Sequence, residues 1–212
     1  MVRLVNSLYI RVGGERSAKT FRTYGITTLQ NRHLSVRGKT LVFDFVGKGY
    51  IKHRKVLVDA KLAAVMKDLA ALGPSRKLFH FIDDEGKSRS VKPSDLNNYL
   101  KSVTAPEYSI KDFRTWGATL LAAVELAEIG VADDEKVTAK NIVRAVRYVA
   151  EQLGNTPAVC RASYIHPRVL KAYGKGVTLV EFQPGRKRRV KSVQTELEPE
   201  EKALLKLLKN GD

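Results

Sequence analysis

The side chains that could carry chemistry are mainly cations, and they suit reactions at phosphate groups. The histidines lack the spacing of a metal site, and no Gly-x-x-x-x-Gly-Lys loop is present. The acidic cluster at 83–85 precedes Gly86 in what reads as a solvated turn, so we do not assign it to a metal. Lysine and arginine number 38 against 22 acidic residues. The histidines are His33, His53, His80 and His166.

This charge balance favours a nucleic-acid partner over a merely solvated basic surface. The formal net charge is +16 over 212 residues, and basic proteins gain free energy by releasing counterions from DNA or RNA. An apolar fraction of 43% is enough for a folded core. Cys160 has no second cysteine to pair with, and no apolar run reaches membrane-spanning length. We therefore expect a folded cytoplasmic protein that does not span a membrane.

Four segments in a fixed order resemble one enzyme family. KDFRTWG at 111–117 is similar to the second-arginine signature of type IB DNA topoisomerases, and SYIHP at 163–167 resembles their tyrosine segment. YIRVGG at 9–14 with YGITTL at 24–29 resembles the first-arginine block, and FDFVGKG at 43–49 the lysine turn. The resemblance covers about residues 3–180. It is strongest to the short bacterial and poxvirus-type enzymes.

The resemblance implies a set of catalytic residues. Arg11 and Arg114 would hold the non-bridging oxygens of the scissile phosphate and stabilise charge in the transition state, as planar guanidinium donors can. Lys48 would protonate the departing 5′ oxygen, which is a poor leaving group as an alkoxide. Tyr164 would attack phosphorus and form a 3′-phosphotyrosyl link, so that religation needs no ATP. The family mechanism implies no metal ion and no cofactor.

Two positions depart from the family pattern. Asn155 stands nine residues before Tyr164, where poxvirus-type enzymes carry a histidine. A neutral amide can still donate a hydrogen bond to a phosphate oxygen, so we keep Asn155 in the catalytic set. Ser17 stands six residues after Arg11, where the family pattern has an aromatic residue. The DNA-backbone contact of that aromatic residue is therefore not carried over.

Two other functions stay open on the sequence. Tyrosine recombinases share the fold and the chemistry, but a histidine typically lies three residues before their second arginine, where this chain has Lys111. A DNA-binding module without activity is the second alternative. The intact set of two arginines, a lysine and a tyrosine argues against it, because binding alone does not require that set.

The elements that must position these residues predict an α+β fold, mainly α-helical with a small antiparallel sheet near the N-terminus. The first fifty residues read mostly as β, with strands at 33–36 and 40–47 around a turn, and a third strand at 55–58. Apolar spacing then predicts helices at 59–72, from 93, at 111–129, from Thr138 to Gly154, and from Pro157 towards Tyr164. The expected apolar faces are Leu62, Val65, Met66, Leu69 and Leu72 in the first helix and Leu96, Leu100 and Val103 in the second.

We expect a catalytic domain at 1–184 and a basic linker with a C-terminal helix at 185–212. Family members usually have an N-terminal domain that closes over the opposite side of the duplex, and this chain begins almost at the catalytic block. We therefore expect the protein to bind double-stranded DNA through one basic face, with an affinity that falls steeply with salt. We also expect a monomer. The expected DNA contacts are Lys19, Arg22, Lys52 and Arg54.

Overall fold

The computed structural model describes residues 1–72, 75–179 and 197–209. They form an N-terminal unit, residues 1–113, and a C-terminal unit, residues 114–179 and 197–209. The predicted α+β class is confirmed, since helices predominate and a three-stranded antiparallel sheet lies near the N-terminus. The basic run at 185–191 lies outside the described residues, so the division at residue 184 stays a prediction. No described helix is both long and apolar enough to cross a membrane.

The N-terminal unit combines short helices with two small sheets. The larger sheet has the strand order β1 (Leu34–Arg37), β2 (Thr40–Val46), β3 (Lys52–Val58), with Leu34 opposite Phe43 and Phe43 opposite Lys55. Alternate residues of β2, namely Leu41, Phe43 and Phe45, are buried, as the two-residue period of a strand requires. The elements are α1 Val2–Leu8, α2 Glu15–Thr20, β1 Leu34–Arg37, β2 Thr40–Val46, β3 Lys52–Val58, α3 Ala60–Ala71, β4 His80–Ile82, β5 Ser88–Ser90 and α4 Pro93–Val103.

The prediction that the first residues are mostly β is wrong for α1 and α2. Leu4, Val5 and Leu8 share one helical face and are all buried, so tertiary packing outweighs the β preference of the valines. The buried faces of α3 and α4 also contain fewer residues than predicted. Val65 and Leu72 are about half exposed, at 53% and 48%. Val103 is 59% exposed, since α4 buries only its two leucines.

The acidic cluster forms a turn, as predicted. Asp83 accepts hydrogen bonds from the amides of Glu85 and Lys87, at 3.1 and 2.7 Å, and from Arg89 Nε at 2.7 Å. The bond from Arg89, followed by that from the Lys87 amide, lowers the pKa of Asp83. This carboxylate therefore stabilises the β4–β5 hairpin.

The C-terminal unit is helical. Its elements are α5 Ile110–Ile129, which starts in the N-terminal unit, α6 Glu135–Leu153, α7 Pro157–Ser163, α8 Pro167–Gly174 and α9 Pro199–Lys209. Helix α6 begins before the predicted Thr138, because the side chain of Asp134 caps it by accepting from the Val137 amide at 2.8 Å. Trp116 of α5 is half-buried and donates from Nε1 to Glu201 of α9 at 3.0 Å.

Candidate active site

Arg11 lies on a segment without regular secondary structure that packs backbone to backbone against residues 24–28. The Arg11 carbonyl accepts a hydrogen bond from the Ile26 amide at 2.7 Å. A Cβ at Gly25 would lie 2.5 Å from the Arg11 carbonyl oxygen and 2.4 Å from the Gly13 nitrogen. Such distances are excluded between main-chain atoms and a side chain, so this approach requires glycine. The backbone of Arg11 is thus fixed, while its side chain is half-buried.

Lys48 lies in the turn between β2 and β3, and its side chain is exposed. The amide of Tyr24 donates to the carbonyl of Val46 at 2.8 Å, two residues before Lys48. Residues 24–28 therefore bond to the Arg11 segment and to the end of β2. Tyr50, in the same turn, has a φ of 59°, which is unusual for a residue with a side chain. Residues 24–28 thus connect the backbone segments that carry the candidates Arg11 and Lys48.

Arg114 is a buried cation in the second turn of α5, with 3% of its surface exposed. Its Nη2 donates to the Leu153 carbonyl at the end of α6, at 3.1 Å. The last carbonyls of a helix have no partner within the helix and carry partial negative charge, so a guanidinium is favourable there. The Arg114 Cζ also lies 5.4 Å from the centroid of the Tyr164 ring, within the range of a cation–π contact.

Asn155 lies two residues after the last residue of α6. Gly154 takes the left-handed conformation, with φ of 61°, which a glycine adopts at little cost. The Asn155 amide donates to the Ala150 carbonyl at 2.9 Å and the Gly154 amide to the Glu151 carbonyl at 3.3 Å. This pair of bonds is a Schellman motif. It and the bond from Arg114 occupy the end of α6, so both residues are held by one helix terminus.

Tyr164 lies at the junction of α7 and α8, half-buried. The predicted start of α7 is confirmed, since Thr156 caps it by accepting from the Val159 amide at 3.3 Å. The Tyr164 amide donates to the Cys160 carbonyl at 3.1 Å and continues the last helical turn. The C-terminal unit thus brings Arg114 and Tyr164 together and ties Asn155 to the helix end that holds Arg114.

Thr119, which contacts Tyr164, is not among the site residues predicted from the sequence. Thr119 of α5 is 3% exposed, and its hydroxyl contacts the Tyr164 carbonyl at 3.2 Å. A β-branched polar residue inside the apolar run of a helix was the available signal, because such residues favour other conformations and need a buried partner.

The four predicted DNA contacts all lie in the N-terminal unit and are exposed. Lys52 and Arg54 alternate along β3 and share its solvent-facing side. Arg54 Nη1 also donates to Asp44 Oδ2 at 3.1 Å, between side chains that are 71% and 63% exposed. An ion pair so exposed contributes little free energy and leaves Arg54 able to exchange partners. Lys19 and Arg22 lie at the end of α2 and just after it.

The described residues contain no cluster of three or more histidine, cysteine or acidic side chains that could hold a metal ion.

Comparison with known proteins identifies the family. The family model described as "Eukaryotic DNA topoisomerase I, catalytic core" matches residues 1–189. The chain belongs to this family of DNA topoisomerase I catalytic cores. Its similarity to viral type IB enzymes places it among the type IB members.

The relatives are viral and fungal. DNA topoisomerase 1B of Acanthamoeba polyphaga mimivirus is 31% identical over 180 residues, which are 82% of this chain and 53% of the relative. DNA topoisomerase 1B of Vaccinia virus (strain Copenhagen) is 25% identical over 171 residues, 77% and 49% of the two chains. DNA topoisomerase 1 of Schizosaccharomyces pombe is 26% identical over 200 residues, 92% and 23% of the two chains. The chain thus spans about half the length of the viral relatives.

Proposed function

We propose that the protein is a type IB DNA topoisomerase, which relaxes supercoiled DNA by cutting and rejoining one strand without ATP or a metal ion. It acts as a monomer on double-stranded DNA, and Lys19, Arg22, Lys52 and Arg54 contact the phosphate backbone. The relatives at 31% and 25% identity carry the name DNA topoisomerase 1B. The activity and the substrate of this chain are inferred from that kinship together with its side chains.

In the proposed reaction, the Tyr164 oxygen attacks the scissile phosphorus while the bond from phosphorus to the 5′ oxygen breaks. The phenolic proton leaves to water, and the ammonium group of Lys48 donates a proton to the departing 5′ oxygen. Arg11 and Arg114 bind the non-bridging oxygens, whose charge increases in the pentacoordinate transition state. Religation reverses each step. The free 5′ hydroxyl attacks the phosphotyrosyl bond, returns its proton through Lys48 and releases Tyr164.

The observation that carries this proposal is the pairing of Arg114 with Tyr164. A guanidinium that is 3% exposed lies 5.4 Å from the ring of a half-buried tyrosine. A nucleophile that attacks a phosphate must lie beside the donors that bind the phosphate oxygens. Asn155 follows the α6 terminus to which Arg114 donates, so a further donor for a phosphate oxygen is close in the structure.

The test is a suicide substrate, a nicked duplex from which the strand beyond the cut dissociates. The wild-type protein should form a covalent adduct on a denaturing gel, in EDTA and without ATP. Tyr164→Phe should form none, because only the attacking oxygen is lost, and should bind DNA within about twofold of wild type. Tyr99→Phe is the matched control, since Tyr99 is 59% exposed on α4. It should form adduct at the wild-type rate.

Three outcomes would contradict the proposal. Adduct formation by Tyr164→Phe would show that another residue is the nucleophile. A wild-type protein that binds DNA and forms no adduct would be a binding module. Adduct that forms only on paired specific sites, with no relaxation of an arbitrary supercoiled plasmid, would indicate a recombinase.

A further inference from the structure

We propose that Thr119 is a positioning residue for Tyr164 and that its hydroxyl sets the place of the tyrosine relative to Arg114. The inference rests on the proposed function, because it assumes that Tyr164 is the nucleophile. It concerns a residue outside the set of groups that act on the phosphate.

The hydroxyl of Thr119 joins α5 to the junction between α7 and α8. Its Oγ1 accepts a hydrogen bond from the His166 amide at 3.1 Å. It lies 3.2 Å from the Tyr164 carbonyl and 2.8 Å from the Thr115 carbonyl, so its single proton is shared between these two acceptors. One buried side chain thus bonds the carbonyl of Tyr164 and the amide two residues later.

These bonds matter because α5 also carries Arg114. Thr119 follows Arg114 by five residues, which is about 7.5 Å along a helix axis. A helix is stiff over that length. The hydrogen bonds from Thr119 to the backbone of residues 164 and 166 therefore fix the position of the tyrosine relative to the guanidinium of Arg114. The amide of Tyr164 is held separately, through the Cys160 carbonyl at 3.1 Å. The junction is therefore attached to α7 on its N-terminal side and to α5 on its C-terminal side.

The chemistry makes this attachment consequential. The tyrosine oxygen must approach phosphorus in line with the departing oxygen, while Arg114 holds the non-bridging oxygens. A displacement of about 1 Å in such a geometry can cost about 100-fold in rate. Binding of DNA does not depend on this alignment in the same way, because phosphate contacts spread over a charged surface. The loss should therefore appear in the cleavage rate at saturating DNA and not in the affinity.

The experiment compares Thr119→Val, which loses the hydroxyl at nearly the same shape, with Thr119→Ser, which keeps it. Cleavage rates are measured on the suicide substrate at saturating DNA, well below each melting temperature. Dissociation constants are measured in the Tyr164→Phe background, where no cleavage occurs. Thr119→Val should cleave about 10- to 100-fold more slowly and bind within about twofold. Thr119→Ser should stay close to wild type.

The matched control is Thr138→Val in the same unit. The Thr138 hydroxyl donates to the Ala132 carbonyl at 3.2 Å, so the substitution also removes a bond from a side chain to a carbonyl. It does so away from the tyrosine junction and should leave the cleavage rate unchanged.

The proposal is overturned if Thr119→Val cleaves at the wild-type rate, or if Thr119→Ser is as slow as Thr119→Val. Equal slowing by Thr138→Val would assign the effect to general destabilisation and would also overturn it. A failure of the proposed function looks different, since the wild-type protein would then form no adduct or Tyr164→Phe would still form one.

Discussion

The two units hold their candidate residues in different ways. In the N-terminal unit, Arg11 and Lys48 lie on segments joined by bonds between main-chain groups, through residues 24–28. In the C-terminal unit, Arg114 and Tyr164 lie within or at the end of helices, and side chains make the connecting bonds. The first arrangement fixes the backbone and leaves the lysine side chain exposed. The second buries the arginine side chain itself.

The difference matches the chemistry proposed for each cation. Arginine does not lose its proton in proteins, so Arg114 can be buried against a helix terminus and still carry charge. In the proposed reaction Lys48 gives a proton to the 5′ oxygen during cleavage and takes it back during religation, so its amine must reach the DNA strand, and the Lys48 side chain is exposed. Burial therefore suits the permanent charge, and exposure suits the exchangeable proton.

The largest expected effect is on the cleavage rate, and it tests the proposed role of the exposed Lys48. Lys48→Ala should slow cleavage of ordinary DNA by about 10²- to 10⁴-fold, the usual range for a lost general acid. The rate should recover on a substrate whose departing 5′ oxygen is replaced by sulfur, because a thiolate leaves without a proton. Single-turnover cleavage of the two substrates measures this.

Lys39→Ala is a suitable control for Lys48, since it removes another exposed cation of the same sheet region. It should cleave both substrates as the wild-type protein does. Equal slowness of Lys48→Ala on both substrates would favour phosphate binding over proton donation.

The next effect tests the helix terminus in the C-terminal unit. Asn155→Ala should lose about 1.5–3 kcal/mol of transition-state stabilisation, the usual contribution of a hydrogen bond to a charged group. Asn155→His should keep much of the activity, because histidine can also donate. The Schellman bond of residue 155 comes from its backbone amide, so neither substitution removes it. A fully active alanine variant would show that the side chain has no part in catalysis.

The smallest effect concerns pH and the framework of the N-terminal unit. Burial, assisted by the charge of Arg32, lowers the pKa of His33 from 6.5 to about 4. Its Nδ1 accepts from the Gln30 amide at 3.1 Å, which requires the neutral ring. The unfolded chain takes up a proton first as pH falls, so stability is complete above about pH 6.5 and decreases towards pH 4. Between pH 7 and 5.5 the loss should be about 1 kcal/mol.

Hydrogen exchange can assign this loss to the correct unit. Amides of residues 34–58 should lose protection between pH 7 and 5.5 in the wild-type protein, after correction for intrinsic exchange rates. The loss should be smaller in His33→Gln, whose side chain does not titrate. The same pH response in both proteins would remove His33 as its cause.

The sequence offers candidate residues for the site but not the contacts that hold them in place. The order of the four segments is enough to select Arg11, Lys48, Arg114 and Tyr164 as candidates. It does not predict that the Leu153 carbonyl receives Arg114, or that Thr119 bonds the tyrosine junction. Such contacts join residues 39 and 45 positions apart, and a local pattern carries no information about them.

The fold shows the same limit. Strand β2 and helices α5 and α7 were predicted close to their observed bounds, because alternation, apolar period and a capping threonine are local signals. Helix α1 was not predicted, since its valines favour a strand until Leu4, Val5 and Leu8 pack together. The start of α6 was misplaced, because Asp134 and Thr138 are equally acceptable caps in isolation. In α1 tertiary packing outweighs the local preference for a strand, and in α6 the cap formed by Asp134 sets the start of the helix.

The close approach at Gly25 limits how this chain can be recombined with its relatives. The atoms nearest to Gly25 belong to the backbone of Gly13 and Arg11, so changes in neighbouring side chains cannot make room for a larger residue. The backbone paths of segments 9–14 and 24–29 must therefore match each other. A chimera that exchanges both segments together keeps their fit, whereas a chimera that takes only one must match the backbone path of the other.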